Sequence, residues 1–162
     1  MSKFTEILTV SPLPDGKTWI IRKKFGYDIG REGGTEFVGV PVGFMTDFAS
    51  VPRLLWSVIP RWGTYGNAAV IHDYCYWTRQ VSVRRKRKII LKSISRKRAD
   101  EIFFEGMGVL RVAFYYRYPI YWAVRMFGWY QWLVNLKKRR KGERRVLKRI
   151  PKKPVDIVYG SL

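Results

Sequence analysis

The chain has 162 residues, enough for one domain with a sizeable buried core. Its formal charge of +20 draws it to polyanions, whether nucleic acid, anionic lipid or an acidic protein. A single cysteine, Cys75, excludes an intramolecular disulfide and a zinc site built on several thiolates, and reads as a small core residue.

The first residues, MSKFTEILTV, hold no apolar run with a small-residue cleavage site, so no secretory leader is expected and synthesis is placed in the cytosol. From residue 4 to 42 the chain offers three short β-prone runs, Phe4 to Val10, Thr18 to Lys23 and Glu36 to Val42. Pro14, Asp15 and Gly16 mark one turn between them, and Gly30, Gly33 and Gly34 a looser one. A small antiparallel sheet is the expectation. Next, Pro41, Gly43, Pro52 and Pro60 forbid a long regular element. An ordered loop carrying Asp47 is expected, with one helical turn near Leu54 to Val58.

The segment Gly66 to Tyr76, GNAAVIHDYCY, holds the only histidine. Ala68, Ala69, Val70, Ile71, Cys75 and Tyr76 predict a helix that runs to about Arg79 and sets His72 and Asp73 in adjacent directions beside a buried face. Nine Lys or Arg residues between Arg84 and Arg98, with no acid, predict a projecting basic loop or an extended β-hairpin. A second helix begins near Ser93 or Ser95, either a suitable cap. Its stripe of Ala99, Ile102, Phe103, Met107 and Leu110 leaves Asp100 partly buried, and His72 is the obvious partner for that carboxylate. Pro119 is suited to open a third helix, rich in aromatic residues on all sides. This apolar region is interrupted by Arg111, Arg117 and Arg125, so it reads as buried or interfacial helix rather than a transmembrane segment. From Lys137 to Lys153 there are eleven basic residues and one acid, and Val155 to Tyr159 reads as a returning edge strand.

The fold class expected is α+β: a small N-terminal antiparallel sheet followed by three main helices, with a basic projecting loop and a basic C-terminal tail. Residues 1–136 form one domain and 137–162 a basic extension.

A histidine bonded to a carboxylate is a competent general base, because the carboxylate selects the tautomer and steadies the imidazolium. Asp73 and Asp47 are hard oxygen donors of the kind calcium prefers. The segment GNAAVIHDYCY resembles the HD-x-C-Y helix of secreted phospholipases A2, and Lys97, Asp100 and Phe103 stand where that family has R-x-x-D-x-x-F. The resemblance implies His72 as water-activating base, Asp100 as its partner and Tyr76 in the same hydrogen-bond network. It also implies Asp73 as a calcium ligand and Asp47 as a loop ligand, with Ca2+ as cofactor. The chain has neither the disulfides nor the Y-x-G-x-G loop of that family.

A longer resemblance, to a family of uncharacterised phage and prophage proteins, rests on V-P-x-G-F-x-T-D-x-A-S-V-P-R, A-A-x-x-H-D-x-x-Y and R-x-x-A-D-x-x-F-x-x-x-M. Here these read Val40 to Arg53, Ala68 to Tyr76, and Lys97 or Arg98 to Met107. Two functions follow as expectations. One is a virion-associated structural protein, made in the host cytoplasm, that meets neighbouring virion subunits or the nucleic-acid backbone through Arg84–Arg98 and Lys137–Lys153. The other is a calcium-dependent, phospholipase-like esterase on anionic host membrane.

Overall fold

A computed structural model describes residues 1–47 and 65–150. The expected helical turn near Leu54 to Val58 and the edge strand at Val155 to Tyr159 lie outside them. The N-terminal part is β structure in short pieces: β1 (Lys3–Phe4), β2 (Val10–Pro12), β3 (Trp19–Ile21), β4 (Phe25–Asp28), β5 (Glu36–Val40) and β6 (Met45–Thr46). There follow α1 (Gly66–Thr78), β7 (Gln80–Arg85), β8 (Lys88–Ser93), α2 (Arg96–Val109) and α3 (Phe114–Arg140). The α+β class and the order of sheet and helices are as the sequence predicts.

The strands form two antiparallel sheets, a five-stranded one in the order β1-β4-β5-β7-β8 and a three-stranded one in the order β2-β3-β6. The run expected from Phe4 to Val10 divides, so that one end pairs with β4 and the other with β3. Tyr27 and Phe25 of β4, a strand absent from the sequence-based expectation, are wholly buried. Strands this short draw their stability from packing rather than from propensity.

The basic stretch is a hairpin rather than a loop. Its first strand, β7, is inside the sheet, pairing Glu36 with Val83 and Phe37 with Ser82. Only β8 stands at the edge, exposed along its whole length. Lys92 and Arg98 both bond Glu36, which their charge and hydrogen bonds hold below the usual carboxylate range despite some burial.

Ser95 is the cap of α2, its hydroxyl accepting from the Arg98 N–H. The third helix departs from expectation: it starts at Phe114, so Pro119 lies inside it. At the sixth helical position the proline lacks the N–H that would bond the Tyr115 carbonyl, and its ring crowds that carbonyl. No helix among the described residues is long and apolar enough to cross a membrane.

α1 and α2 cross closely because small residues meet. A Cβ on Gly106 would lie 3.2 Å from the Ala68 Cβ, a contact so tight that an alanine there would push the helices apart by a few tenths of an ångström. From that point the helices run past each other in opposite directions. One turn on, His72 stacks on Phe103 with ring centroids 4.7 Å apart; the next turn of α2 carries Asp100. The Ala68–Gly106 contact thus sets the register that brings His72 to Asp100.

Residues 142–147 return to the body after α3. The Arg145 carbonyl accepts from the Met45 N–H, the Leu147 N–H donates to the Gly43 carbonyl, and Val146 bridges Phe44. The first part of the basic extension is thereby attached beside β6.

Candidate active site

Three of the predicted site residues come together in the interior. His72 Nε2 lies 3.0 Å from Asp100 Oδ1, and the Tyr76 hydroxyl donates to the same oxygen at 2.6 Å. His72 and Asp100 are at most 1% exposed, and Tyr76 is buried. The second oxygen, Oδ2, accepts from Arg125 Nη1 at 2.6 Å and from Arg96 Nη1 at 3.4 Å. Burial alone would raise the Asp100 pKa. The bond from His72 and its charge, with those from Tyr76 and Arg125, outweigh burial and hold the carboxyl below its ordinary value.

An ionised Asp100 is acceptor-only, so His72 Nε2 must be the donor. In the neutral ring Nδ1 is then the acceptor, and it has no hydrogen-bond partner among the described residues. His72 lines a cavity of about 130 Å³ with Asp47, Asp73, Tyr76, Asn135 and Arg145, walled by Val124, Phe127 and Tyr130. An orphaned buried acceptor costs on the order of 1–3 kcal/mol unless water or substrate meets it. The cavity is where such a group would sit. Cys75 is no competing nucleophile: burial pushes its thiol up to about 12.

Neither Lys97 nor Arg98 is the basic residue of the site: counted back from Ala99 and Asp100, the R of R-x-x-A-D falls on Arg96. Lys97 faces Glu101, and Arg98 faces Glu36. Arg96, one helical turn before Asp100, and Arg125 of α3 supply the positive charge instead. Arg96 also donates to the Arg125 carbonyl at 2.9 Å, which ties the start of α2 to α3.

Asp73 also lines the cavity but accepts a short hydrogen bond from the Thr46 hydroxyl. Asp47 is more than a third exposed and lies 3.5 Å from Arg145 Nη2. A calcium site needs six or more oxygen ligands. Among the described residues no three His, Cys, Asp or Glu side chains gather to hold a metal ion. A guanidinium beside Asp47 takes the place where a cation would stand. The described residues do not by themselves fit calcium, and no chemical step below passes through a metal.

The site has a third wall that sequence reading did not assign. α3 turns Ile120, Val124, Gly128, Trp132 and Asn135 inward at helical spacing. A Cβ at Gly128 would collide with the Tyr76 hydroxyl, so glycine alone lets α3 close on the network. Gly128→Ala should therefore lower stability by about 1–2 kcal/mol in urea unfolding, the overpacking cost exceeding the helix-propensity gain of about 1 kcal/mol. An unchanged or higher midpoint would show that the Tyr76 hydroxyl is not held there. Arg125 stands out in the sequence as a cation inside an apolar helix and Asn135 as an amide one turn after Gln131, but neither signal names a partner.

The site lies within a stretch whose family can be named. A family model described as a protein of unknown function, DUF1353, matches residues 19–124. The chain belongs to this family. The matched span takes in β3 to β8, α1, α2 and α3 as far as Val124, and so His72, Tyr76, Arg96 and Asp100, while β1, β2 and Arg125 lie outside it. A relative in Sinorhizobium fredii strain NBRC 101917 / NGR234, the uncharacterized protein y4jT, is 34% identical over 91 residues. That match covers 55% of this chain and 23% of the relative, so the chain spans about a quarter of its length. No solved structure matches.

Proposed function

We propose that this DUF1353 chain is a hydrolase that activates water at His72 to cleave a carboxylic ester presented at an anionic lipid surface. The observation that carries the reading is the division of labour on one ring: Nε2 is fixed by an ionised Asp100, while Nδ1 has no partner among the described residues and His72 lines a cavity. The chemistry follows from that tautomer. Nδ1 takes a proton from water, the hydroxide attacks the ester carbonyl carbon, and the C–O bond to the alcohol breaks. The imidazolium returns the proton to the departing alcohol, and a carboxylic acid is released. Asp100 stabilises the imidazolium while Tyr76, Arg96 and Arg125 keep that carboxylate ionised and in place.

The lipid surface is argued from α3. Its outer stripe, Tyr115, Tyr118, Trp122, Met126, Trp129 and Leu133, is at least half exposed at every position. Phe127 and Tyr130, also half exposed, join that stripe to the cavity wall. Large exposed apolar patches mark interaction surfaces. Amphipathic aromatic rings followed by the basic run Lys137–Lys141 suit an apolar layer under anionic headgroups.

His72→Gln should lose about 10²–10⁴-fold in kcat on p-nitrophenyl octanoate and on anionic phospholipid vesicles, with calcium or with chelator present. No turnover by the unaltered protein under any of these conditions would overturn the hydrolase.

A second reading has its own support in the β7–β8 hairpin. The edge strand exposes Ile89 and Leu91 by about two thirds each, between basic residues. That arrangement suits a contact of a phage structural protein with DNA or an acidic neighbouring subunit.

A further inference from the structure

Among the described residues four buried side-chain nitrogens have no hydrogen-bond partner: His72 Nδ1, Asn135 Nδ2, Arg79 Nε and Arg117 Nε. Of these four residues, His72 and Asn135 line the same cavity. With the imidazole neutral and Nε2 donating to Asp100, Nδ1 is an acceptor and the Asn135 NH2 a donor. Asn135 is 1% exposed, a position where leucine would pack without leaving any polar group unmatched. Its amide is oriented by the neighbouring turn: Gln131 Nε2 donates to Asn135 Oδ1 at 3.2 Å, which leaves the NH2 group as the unsatisfied end.

Ester hydrolysis needs such a donor. When hydroxide adds to the carbonyl carbon, the carbonyl oxygen becomes an oxyanion that must be met by a preplaced N–H, a cation or a metal. The described carboxylates do not assemble a metal site. The acidic side chains in the cavity are themselves engaged, Asp73 with Thr46 and Asp47 with Arg145.

We infer that the Asn135 side-chain amide is the oxyanion donor of this site, binding the carbonyl oxygen of an acyl ester whose carbonyl carbon is attacked by the water held at His72. The inference rests on the hydrolase reading and adds to it the electrophilic residue and the placement of the substrate. The ester group lies in the cavity between α1 and α3, and its acyl chain leaves along Phe127 and Tyr130 towards the apolar face of α3. Asn135 touches substrate in this arrangement and is a catalytic residue. Gln131 only orients it.

Binding and turnover separate the two claims. O-methyl octylphosphonate, a nonhydrolysable mimic of the tetrahedral oxyanion, is titrated into the full chain by calorimetry, beside turnover of p-nitrophenyl octanoate. The unaltered protein should bind the phosphonate. Asn135→Leu should weaken that binding by at least about 30-fold and lower kcat by about 10²–10³-fold with little change in KM. Its melting temperature should be equal or higher, since a merely structural asparagine would lose stability instead. Asn135→Asp, of the same shape, should show the same losses and serves if the leucine variant does not fold. Turnover should persist in chelator.

Turnover that needs His72 while both Asn135 variants keep the wild-type rate would overturn this inference and leave the hydrolase standing. Phosphonate binding that is lost in Asn135→Leu, in a protein without turnover, would keep the donor and overturn the hydrolase. Failure of the unaltered protein to bind the phosphonate, or turnover strictly dependent on calcium, would overturn the donor assignment.

Discussion

Asp100→Asn is expected to lower the free energy of unfolding by about 3–5 kcal/mol, because it leaves two guanidinium groups facing a buried neutral amide. Arg125 and Arg96 both bond Oδ2, and an asparagine can offer that position either an oxygen or an NH2 group. If the oxygen faces the arginines, the NH2 faces His72 and Tyr76, whose donors then have no acceptor. If the amide is reversed, it points N–H groups at two cations. Neither orientation satisfies all four partners. Chemical denaturation of the variant at neutral pH measures the effect, and a loss below about 1 kcal/mol would show that the network is solvated rather than sealed. The same change removes the group that selects the His72 tautomer, so turnover should fall with stability.

The acid limb of stability follows from the same carboxylate. Asp100 has a lower pKa in the folded protein than in the unfolded chain, where it takes the ordinary value of about 3.9. Its contribution is therefore present in full above that ordinary value, and it is lost as pH falls through the depressed folded value. Wild-type stability should drop below about pH 4, and the Asp100→Asn variant should lack that part of the drop.

How much of this site could be read in advance depended on whether a residue's partners lie on one helix or on several. α2 carries an apolar period, α1 is apolar and buried on nearly every side, and the burial of Asp100 follows from Ala99, Phe103 and Met107 on its flanks. A buried carboxylate needs a partner, and the chain has one histidine, so the His72–Asp100–Tyr76 group was legible. Arg125, Gly128 and Asn135 were not. α3 bears aromatic residues around its whole circumference, so periodicity could not say which stripe turns inward. That is decided by tertiary contacts, the Tyr76 hydroxyl beside Gly128 and the Arg125 bond to Asp100. The β structure was legible as a class and not in detail. Strands of two to four residues such as β1, β4 and β6 are selected by partners far along the chain, which leaves little local signal.

The outer face of α3 carries the second large prediction. Replacing Trp122, Met126 and Trp129 together by alanine should weaken binding to phosphatidylglycerol vesicles by roughly 10³-fold, from about 1.5 kcal/mol of apolar burial at each position. All three are more than half exposed, so the melting temperature should not change. Replacing Lys137, Arg140 and Lys141 by glutamine should cost about 1 kcal/mol each on anionic vesicles and nothing on neutral ones. Arg139 is left alone because it donates to the Trp77 and Thr78 carbonyls at the end of α1. The pair of variants also separates the two functional readings. A DNA contact made through phosphates should fall with the basic changes, weaken as salt rises and ignore the aromatic ones. A lipid contact should respond to both, because the rings supply the area and the cations only select the surface. Vesicle binding unaffected by the loss of Trp122, Met126 and Trp129 would sink the lipid reading of this face and move the weight to the β7–β8 hairpin.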